Sequence, residues 1–318
     1  MYLYICKLPL LRGSFSKYEH MKHYYFTFLC LCSFFLSAQG WQWGRLGGSN
    51  TSPQAGQNSM NSIAQIRTDK FYNTYILARI GPSNTQIDGT SLNAYSFGNT
   101  NDLLIASFDP YGQLRWHKVI GGANNDFDTD LKLDSMGNVY LAGQLQRPPP
   151  QNGRKAPHFD NDTILGESGT LAQDKQRLFL VKYDSSGNFQ WLHMPEPDTV
   201  SDLNNSRTLG IDVDPSGTIY WLCRLNPGCL AGTPFEITQQ GFYIVRYQPG
   251  GGITELTPID MTTDNFTFVW GGINDYQQIL HDPVSGNFYL TGINESDGGD
   301  PFILEGDTIE DRMYLAAF

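Results

Sequence analysis

Residues 124–134 read NNDFDTDLKLD and set Asp126, Asp128 and Asp130 at alternate positions. Carboxylates so spaced are oxygen donors of the kind calcium takes, which makes these three the metal candidates of the chain. A twelve-residue calcium loop also needs Gly at its sixth position and Glu at its twelfth, where Leu131 and Gly137 stand. A solvated acidic loop is the better-supported reading, with calcium as the alternative and no other cofactor predicted. A second constellation, Asp109, Gly112 and Trp116 in LLIASFDPYGQLRW (103–116), has the look of a binding turn. Asp212 and Asp214 sit too close along the chain to act across a cleft as glycosidase carboxyls must. His117, His158, His193 and His281 are scattered without metal-ligand spacing. The sequence contains no G-x-S-x-G, no H-E-x-x-H and no phosphate-cradling glycine loop, so no catalytic residue is assigned. Cys223 and Cys229, in CRLNPGC, are a candidate disulfide across a turn, with two buried thiols as the competing reading.

Internal comparison changes the meaning of these residues. LLIASFDPYGQLRW is matched by LFLVKYDSSGNFQW (178–191), so Asp184, Gly187 and Trp191 repeat the first constellation. A third copy, FYIVRYQPGGGITEL (242–256), has Gln248 for the Asp and no Trp. A second unit recurs as LKLDSMGNVYLAG (131–143), IDVDPSGTIYWLC (211–223) and ILHDPVSGNFYLTG (279–292), with a weaker copy IRTDKFYNTYILA (66–78). It aligns Asp134, Asp214 and Asp282 at turns, and Tyr75, Tyr140, Tyr220 and Tyr289 in the strands that follow. Each unit is an alternating strand, an Asp-led turn and a second strand, with Gly supplying the positive φ in all but the weakest copy. FDNDTI (159–164) is echoed by FILEGDTI (302–309) in the connections.

Two hairpins make a four-stranded antiparallel sheet with two faces to cover, so successive sheets must stack. The expectation is an all-β fold, a β-propeller of four-stranded antiparallel blades with Trp and Tyr wedged between them. A stacked linear β-array is the alternative. The predicted repeats run over an incomplete blade 41–80, then about 81–145, 146–225 and 226–293, with a partial repeat at 294–318. About four blades are represented. MYLAAF (313–318) stops where a turn should begin, which predicts a truncated larger propeller; closure of this strand onto the first blade is the other reading.

The order KYD–xxG–xxxW, then D–xxGN–VYLAG, resembles the SBBP-type β-propeller repeats of secreted Bacteroidetes-type proteins, over roughly residues 41–318. That resemblance implies an exported or cell-surface protein. Many such proteins end in a type IX secretion sorting domain, and none is visible here. Segment 103–116 is also similar to the Asp-box of sialidase-like propellers and to the tryptophan-docking repeats of quinoprotein dehydrogenases. Its Asp-to-Gly and Gly-to-Trp spacings are each one residue too long for an Asp-box. Recurrence of Asp109 and Trp116 as Asp184 and Trp191 favours a structural turn, since one active site rarely needs its key residue in every blade.

Composition and termini supply the address. The 318 residues are 40% hydrophobic and 17% charged, with 33 Gly, 19 Phe and 17 Tyr, which suits a β-rich protein with many tight turns. A net charge of -11 argues against a nucleic-acid partner held through phosphates. From Met21, a positive start (Lys22, His23), an apolar run (Tyr24 to Leu36) and small residues predict a signal peptide over 21–40, cleaved after Ala38 or Gly40. The run is too short for a permanent transmembrane span. Residues 1–20 read as a non-native upstream extension. The function expected is an exported binding or scaffold module, extracellular or on the outer surface, meeting a protein or glycan at a loop face. Its rivals are a propeller enzyme (a polymer hydrolase or lyase, or a quinone-dependent oxidoreductase) with a site drawn from several blades, and an architectural stalk.

Overall fold

The computed structural model describes residues 43–49, 61–96, 98, 100–146, 157–164, 176–195, 206–262, 278–293, 302–309 and 313–318. The upstream extension and the predicted leader lie outside them. The chain divides into two compact units, Met1–Gly44 and Arg45–Phe318. The fold below belongs to the second, and no helix occurs among the described residues.

In chain order, β1 (Gly47–Gly48) precedes a hairpin of β2 (Ser62–Thr68) and β3 (Thr74–Ile80). A small hairpin, β4 (Gln86–Ile87) and β5 (Thr90–Ser91), leads to β6 (Asp102–Phe108) and β7 (Leu114–Gly121). The cycle repeats with β8 (Asp126–Leu133) and β9 (Val139–Gln146), small strands β10 (His158–Phe159) and β11 (Thr163–Ile164), then β12 (Gln176–Tyr183) and β13 (Phe189–His193). Next come β14 (Arg207–Val213) with β15 (Ile219–Leu225), β16 (Gly241–Tyr247) with β17 (Ile253–Ile259), and β18 (Met261–Thr262). The last group is β19 (Gln278–His281), β20 (Phe288–Ile293), small strands β21 (Phe302–Leu304) and β22 (Asp307–Ile309), and β23 (Met313–Ala317).

Among the described residues the strands form six antiparallel sheets: four built on the long hairpins, in the orders β2-β3-β6-β7 (extended beyond β7 by β10 and β11), β8-β9-β12-β13, β14-β15-β16-β17 and β19-β20-β23, and two small ones, β1-β4-β5 and β18-β21-β22. The architecture is all-β and propeller-like, as the repeats predict, but the phase differs by half a repeat. A Tyr-bearing hairpin shares its sheet with the Trp-type hairpin that follows it, not with the one before: β9 pairs with β12 from Tyr183↔Val139 to Gln176↔Gln146. Both phases satisfy the same alternation, so only long-range pairing separates them. The strand at 313–317 pairs with β20, Tyr289 opposite Ala317, and so is the third strand of the fourth sheet.

The first strand of each sheet packs against the first strand of the next, β2 on β8, β8 on β14 and β14 on β19. Three of these strands carry a bulge at the same place, between Ile63 and Gln65, Asp128 and Asp130, and Thr208 and Gly210. A bulge sharpens the local twist of the strand. Residues just after it reach the next sheet: Gln65 Oε1 accepts the Leu131 N–H (2.9 Å) and Asp130 Oδ2 the Ile211 N–H (3.4 Å). Gly210 has no side chain, and Asp212 Oδ2 takes the His281 N–H instead (2.8 Å).

Apolar cores fill the joints. Tyr75, Leu77 and Ile105 meet Leu141, Phe179 and Val181 between the first two sheets. Tyr140, Leu178 and Leu180 meet Ile219, Trp221 and Val245 between the next two. Leu209, Leu222 and Ile244 meet Ile279 and Leu290 in the third joint. The aligned residues Leu131, Ile211 and Ile279 are at most 1% exposed, whereas Ile66, in the first sheet, is 60% exposed.

The aromatic rings are held by turn glycines. A Cβ on Gly187 would lie 2.7 Å from Trp116, and one on Gly217 would lie 3.0 Å from the Tyr140 hydroxyl. Both glycines have positive φ, 82° and 85°. Gly286 also has positive φ (80°), yet a Cβ there meets nothing within 4 Å. Gly286→Ala should therefore cost only the left-handed backbone penalty, about 1–2 kcal/mol. Gly187→Ala adds a clash with the docked indole and should cost about 3 kcal/mol or more. Urea denaturation of the two variants measures the difference, and equal losses would show that the ring contact carries no weight.

Candidate functional site

The Asp-led turns share one geometry. In the turn 134–138, the Asp134 N–H donates to Asn138 O (3.2 Å) and the Gly137 N–H to Asp134 O (3.0 Å). Asp134 Oδ1 accepts the N–H of Met136 (2.9 Å) and Asn138 (3.0 Å), while Oδ2 accepts from the Asn138 amide (2.7 Å) and the Tyr140 hydroxyl (3.0 Å). Asp69 repeats all four side-chain bonds with Phe71, Asn73 and Tyr75. At Asp109, Asp184 and Asp214 the same oxygen takes N–H groups two and four residues on. Asp282 caps a turn one residue longer, closed by the Gly286 N–H on Asp282 O. Gln248, without a carboxylate, keeps the backbone pattern through the Gly251 and Gln248 N–H groups. These acids are turn locks.

The carbonyl after the Asp position is the docking point for the preceding sheet. Ser185 O accepts from Trp116 Nε1 (3.1 Å) and Arg115 Nη2 (3.0 Å). Pro249 O accepts from Trp191 Nε1 (3.2 Å) and Lys182 Nζ (2.8 Å), and Pro215 O accepts from Ser135 Oγ (2.6 Å). Tyr75 and Trp116 sit edge to face at 5.9 Å, and Tyr220 stacks on His281 at 4.1 Å. Tyr289 is half-buried. The repeated Asp, Gly and Trp, with Tyr75, Tyr140 and Tyr220, are thus committed to turns and packing contacts.

The calcium candidates are not a solvated loop. They lie on β8, Asp126 completely buried and Asp130 nearly so; the Asp128 side chain is outside the described residues. Asp130 is flanked by Arg67 (3.5 Å) and Lys132 (3.4 Å) while it caps Ile211. Bulge geometry and cross-sheet pairing draw this acidic run inward against its hydropathy. Among the described residues, no group of three or more His, Cys, Asp or Glu is arranged to hold a metal ion. Cys223 and Cys229 are both buried and not joined in a disulfide. Each packs as a small apolar side chain in the core between the second and third sheets, the arrangement of the two-buried-thiols alternative. On the first strands of successive sheets, Gln65, Asp130 and Asp212 each hold the next sheet's backbone.

The sequence reading missed a rim clasp. Asp88, Asp160, Leu230 and Glu305 all have positive φ (46°, 52°, 58° and 51°). Their N–H groups donate to Leu46, Val119, Pro195 and Asp260 carbonyls at 2.7 to 2.8 Å, tying each connection to an earlier stretch of chain in or beside a strand. Lys118 strengthens one clasp by pairing with Asp160 and Asp162. The echo between FDNDTI and FILEGDTI was its visible trace; QIDGTS (86–91) is a third copy, and NPGCLAG at 226–232 keeps only the backbone geometry.

Exposed apolar side chains occur on strands (Ile63, Ile66, Leu280, Leu315), beside β1 (Leu46) and at the turn tips. In an antiparallel four-stranded sheet the first and third connections leave at the same end, so all the Asp-led turns share one end. There Tyr72 and Tyr111 are each 78% exposed and Val284 is 94% exposed, joined by Phe71 and Met136. With the turn carboxylates bound internally, these tips are what that end offers a partner.

The turn acids also set an acid limit on stability. Burial pushes the carboxyls of Asp69, Asp184 and Asp214 up, but donors from the turn outweigh it and hold them below the ordinary carboxylate range. A depressed folded value stabilises the native state above the unfolded pKa of about 4, and that gain is lost as pH falls through the folded values. Urea midpoints should fall on acidification below about pH 4, and fall less in Asp69→Asn; a parallel fall in both proteins would remove Asp69 from the account.

No protein-family model matches this sequence. In an alignment 228 positions long that covers 64% of the chain, it is 27% identical to an uncharacterised WD repeat-containing protein of Acanthamoeba polyphaga mimivirus. The matched region spans 15% of that protein's length. The chain is similar to a β-propeller-type repeat protein, in agreement with its stacked four-stranded sheets.

Proposed function

We propose that this chain is an exported propeller-type binding module whose partner is gripped by the turn end of its sheets. The observation that carries this reading is the set of exposed apolar residues at the turn tips, Phe71, Tyr72, Tyr111, Met136 and Val284, on an end whose turn carboxylates are bound within the fold. Exposed aromatic side chains with two polar-tipped tyrosines suit a polypeptide, and a glycan face stacked on Tyr72 and Tyr111 is the other ligand class. The leader sequence at 21–40 supports export, and the SBBP-type pattern supports a place among secreted Bacteroidetes-type surface proteins that use type IX secretion.

Two measurements test the reading. Expression of the full chain in an exporting host should yield a mature protein beginning at Gln39 or Trp41 by intact mass; retention of residues 21–40 would refute the leader. Folded full chain should bind at least one polypeptide or glycan of a surface-ligand panel. The double variant Tyr72→Ser, Tyr111→Ser should then lose about tenfold or more in affinity, roughly 1.4 kcal/mol, with an unchanged unfolding midpoint. An empty panel, or undiminished binding by the variant, would sink the turn-end site.

A further inference from the structure

At the end of the first joint opposite the Asp-led turns, two carboxyls meet in the interior. Asp102 opens β6 and Asp126 opens β8, and both are completely buried. They flank Gly121, the last residue of β7: a Cβ there would lie 2.5 Å from Asp126 Oδ2 and closer still to Asp102 Oδ1. No residue but glycine fits between them. Each carboxyl is also gripped by backbone donors. Asp102 Oδ2 accepts the N–H of Tyr95 (2.6 Å) and Ser96 (2.9 Å). Asp126 accepts the N–H of Gly122 on Oδ2 (2.8 Å) and of Gln146 on Oδ1 (3.2 Å). The pair thereby joins the loop before β6, the end of β7, the start of β8 and the end of β9, elements of two different sheets.

We propose that Asp102 and Asp126 share one proton in the folded protein, making the joint between the first two sheets a proton-held clasp that loosens as pH rises. Two ionised carboxylates side by side in the interior repel each other without water to screen them. Two neutral carboxyls would waste four N–H donors aimed at them, which favour negative charge. One proton and one charge over the pair satisfies both constraints, as in other buried carboxyl dyads. The physical pressures on Asp126 agree: burial and the Asp102 charge push its carboxyl up, against the Gly122 and Gln146 N–H groups, and the upward pressures win.

The ionisable groups on the elements packed around the pair are Tyr95, Lys118, His158, Arg79 and Arg177, with His158 opposite Gly121 in the β10–β7 pairing. Tyr95 donates its hydroxyl to Asp160 O (3.0 Å) and stacks on His158, and Lys118 is committed to Asp160 and Asp162. Arg79 pairs in register with Leu103, beside Asp102, and so projects from the opposite face of that sheet. Arg177 stands opposite Leu145, which itself stands opposite Asp126, two strands away. A folded-state value raised above the unfolded one gives stability that is whole below about pH 4 and declines as pH rises toward the folded value.

The test uses the full chain and compares the wild type with Asp126→Asn, whose amide mimics the protonated acid and faces Asp102 with a permanent donor. Across pH 5 to 8.5 the wild-type unfolding constant should rise at least tenfold relative to that of Asp126→Asn. His117 and His193 titrate in both proteins and cancel in the ratio, and both proteins are also compared in a His158→Gln background, because His158 stands opposite Gly121 between the two carboxyls. Infrared spectra of the folded wild type should show a protonated-carboxyl stretch at pH 6 that is absent from Asp126→Asn. If that variant does not fold, Asp102→Asn and the wild-type infrared band decide. A pH-independent ratio, or no protonated-carboxyl band, overturns the proposal. So does stabilisation of the wild type, but not of the variant, by millimolar calcium, which would put a cation where the proton is assigned.

Discussion

The contact between an aromatic ring and the turn of the following sheet governs how these sheets stack. Trp116 lies against Gly187 and donates to Ser185 O; Trp191 lies against Gly251 and donates to Pro249 O. The turn must offer three things at once: a missing Cβ, a carbonyl pointing backwards, and a backbone rigid enough to hold both in place. Turn hydrogen bonds supply the rigidity, reinforced by the carboxylate at Asp184 and by backbone groups alone at Gln248, and positive φ supplies the direction. Apolar burial then glues sheets whose relative position the docked rings have already chosen. Buried area alone is indifferent to small slides of one sheet over another, whereas an indole N–H aimed at one carbonyl is not.

Two further ties work at other radii of the same joint. Along the first strands, a side chain just past a bulge caps an N–H of the next sheet; at the rim, a positive-φ residue hands its N–H back to an earlier stretch of chain in or beside a strand. Each tie is modest, about 1 kcal/mol for a neutral hydrogen bond, yet together they leave a sheet few ways to move. The titrating groups pull in opposite directions across these joints. The turn carboxylates favour the folded state when ionised, and the interior pair at Asp102 and Asp126 favours it with a proton bound. Stability therefore has an acid limit set at one end of the sheets and an alkaline decline set at the other.

Much of this was legible without coordinates. Asp109 with Trp116 and Asp184 with Trp191 announced a structural turn because they recurred, and the aligned tyrosines marked strands that face a neighbour. The acidic run at 126–130 misled for a physical reason: a buried carboxylate held by backbone N–H groups is indistinguishable in sequence from one in water. CRLNPGC left two readings open for a related reason, since spacing says nothing of whether two thiols point at each other or into a common core. The rim clasp was nearly invisible, because its donors are backbone groups and its four central residues are Asp, Asp, Leu and Glu, alike only in φ.

The sequence by itself determined the hairpins, their turn chemistry and the all-β stacked architecture, since each of those rests on residues within about six positions of one another. Only the tertiary structure decided which hairpins share a sheet, which acids are buried, and which turn tips are left for a partner. Those outcomes depend on contacts between residues some sixty to eighty positions apart, such as Trp116 with Ser185 and Asp130 with Ile211. Alternation specifies which face of a strand is buried but not which strand lies beside it.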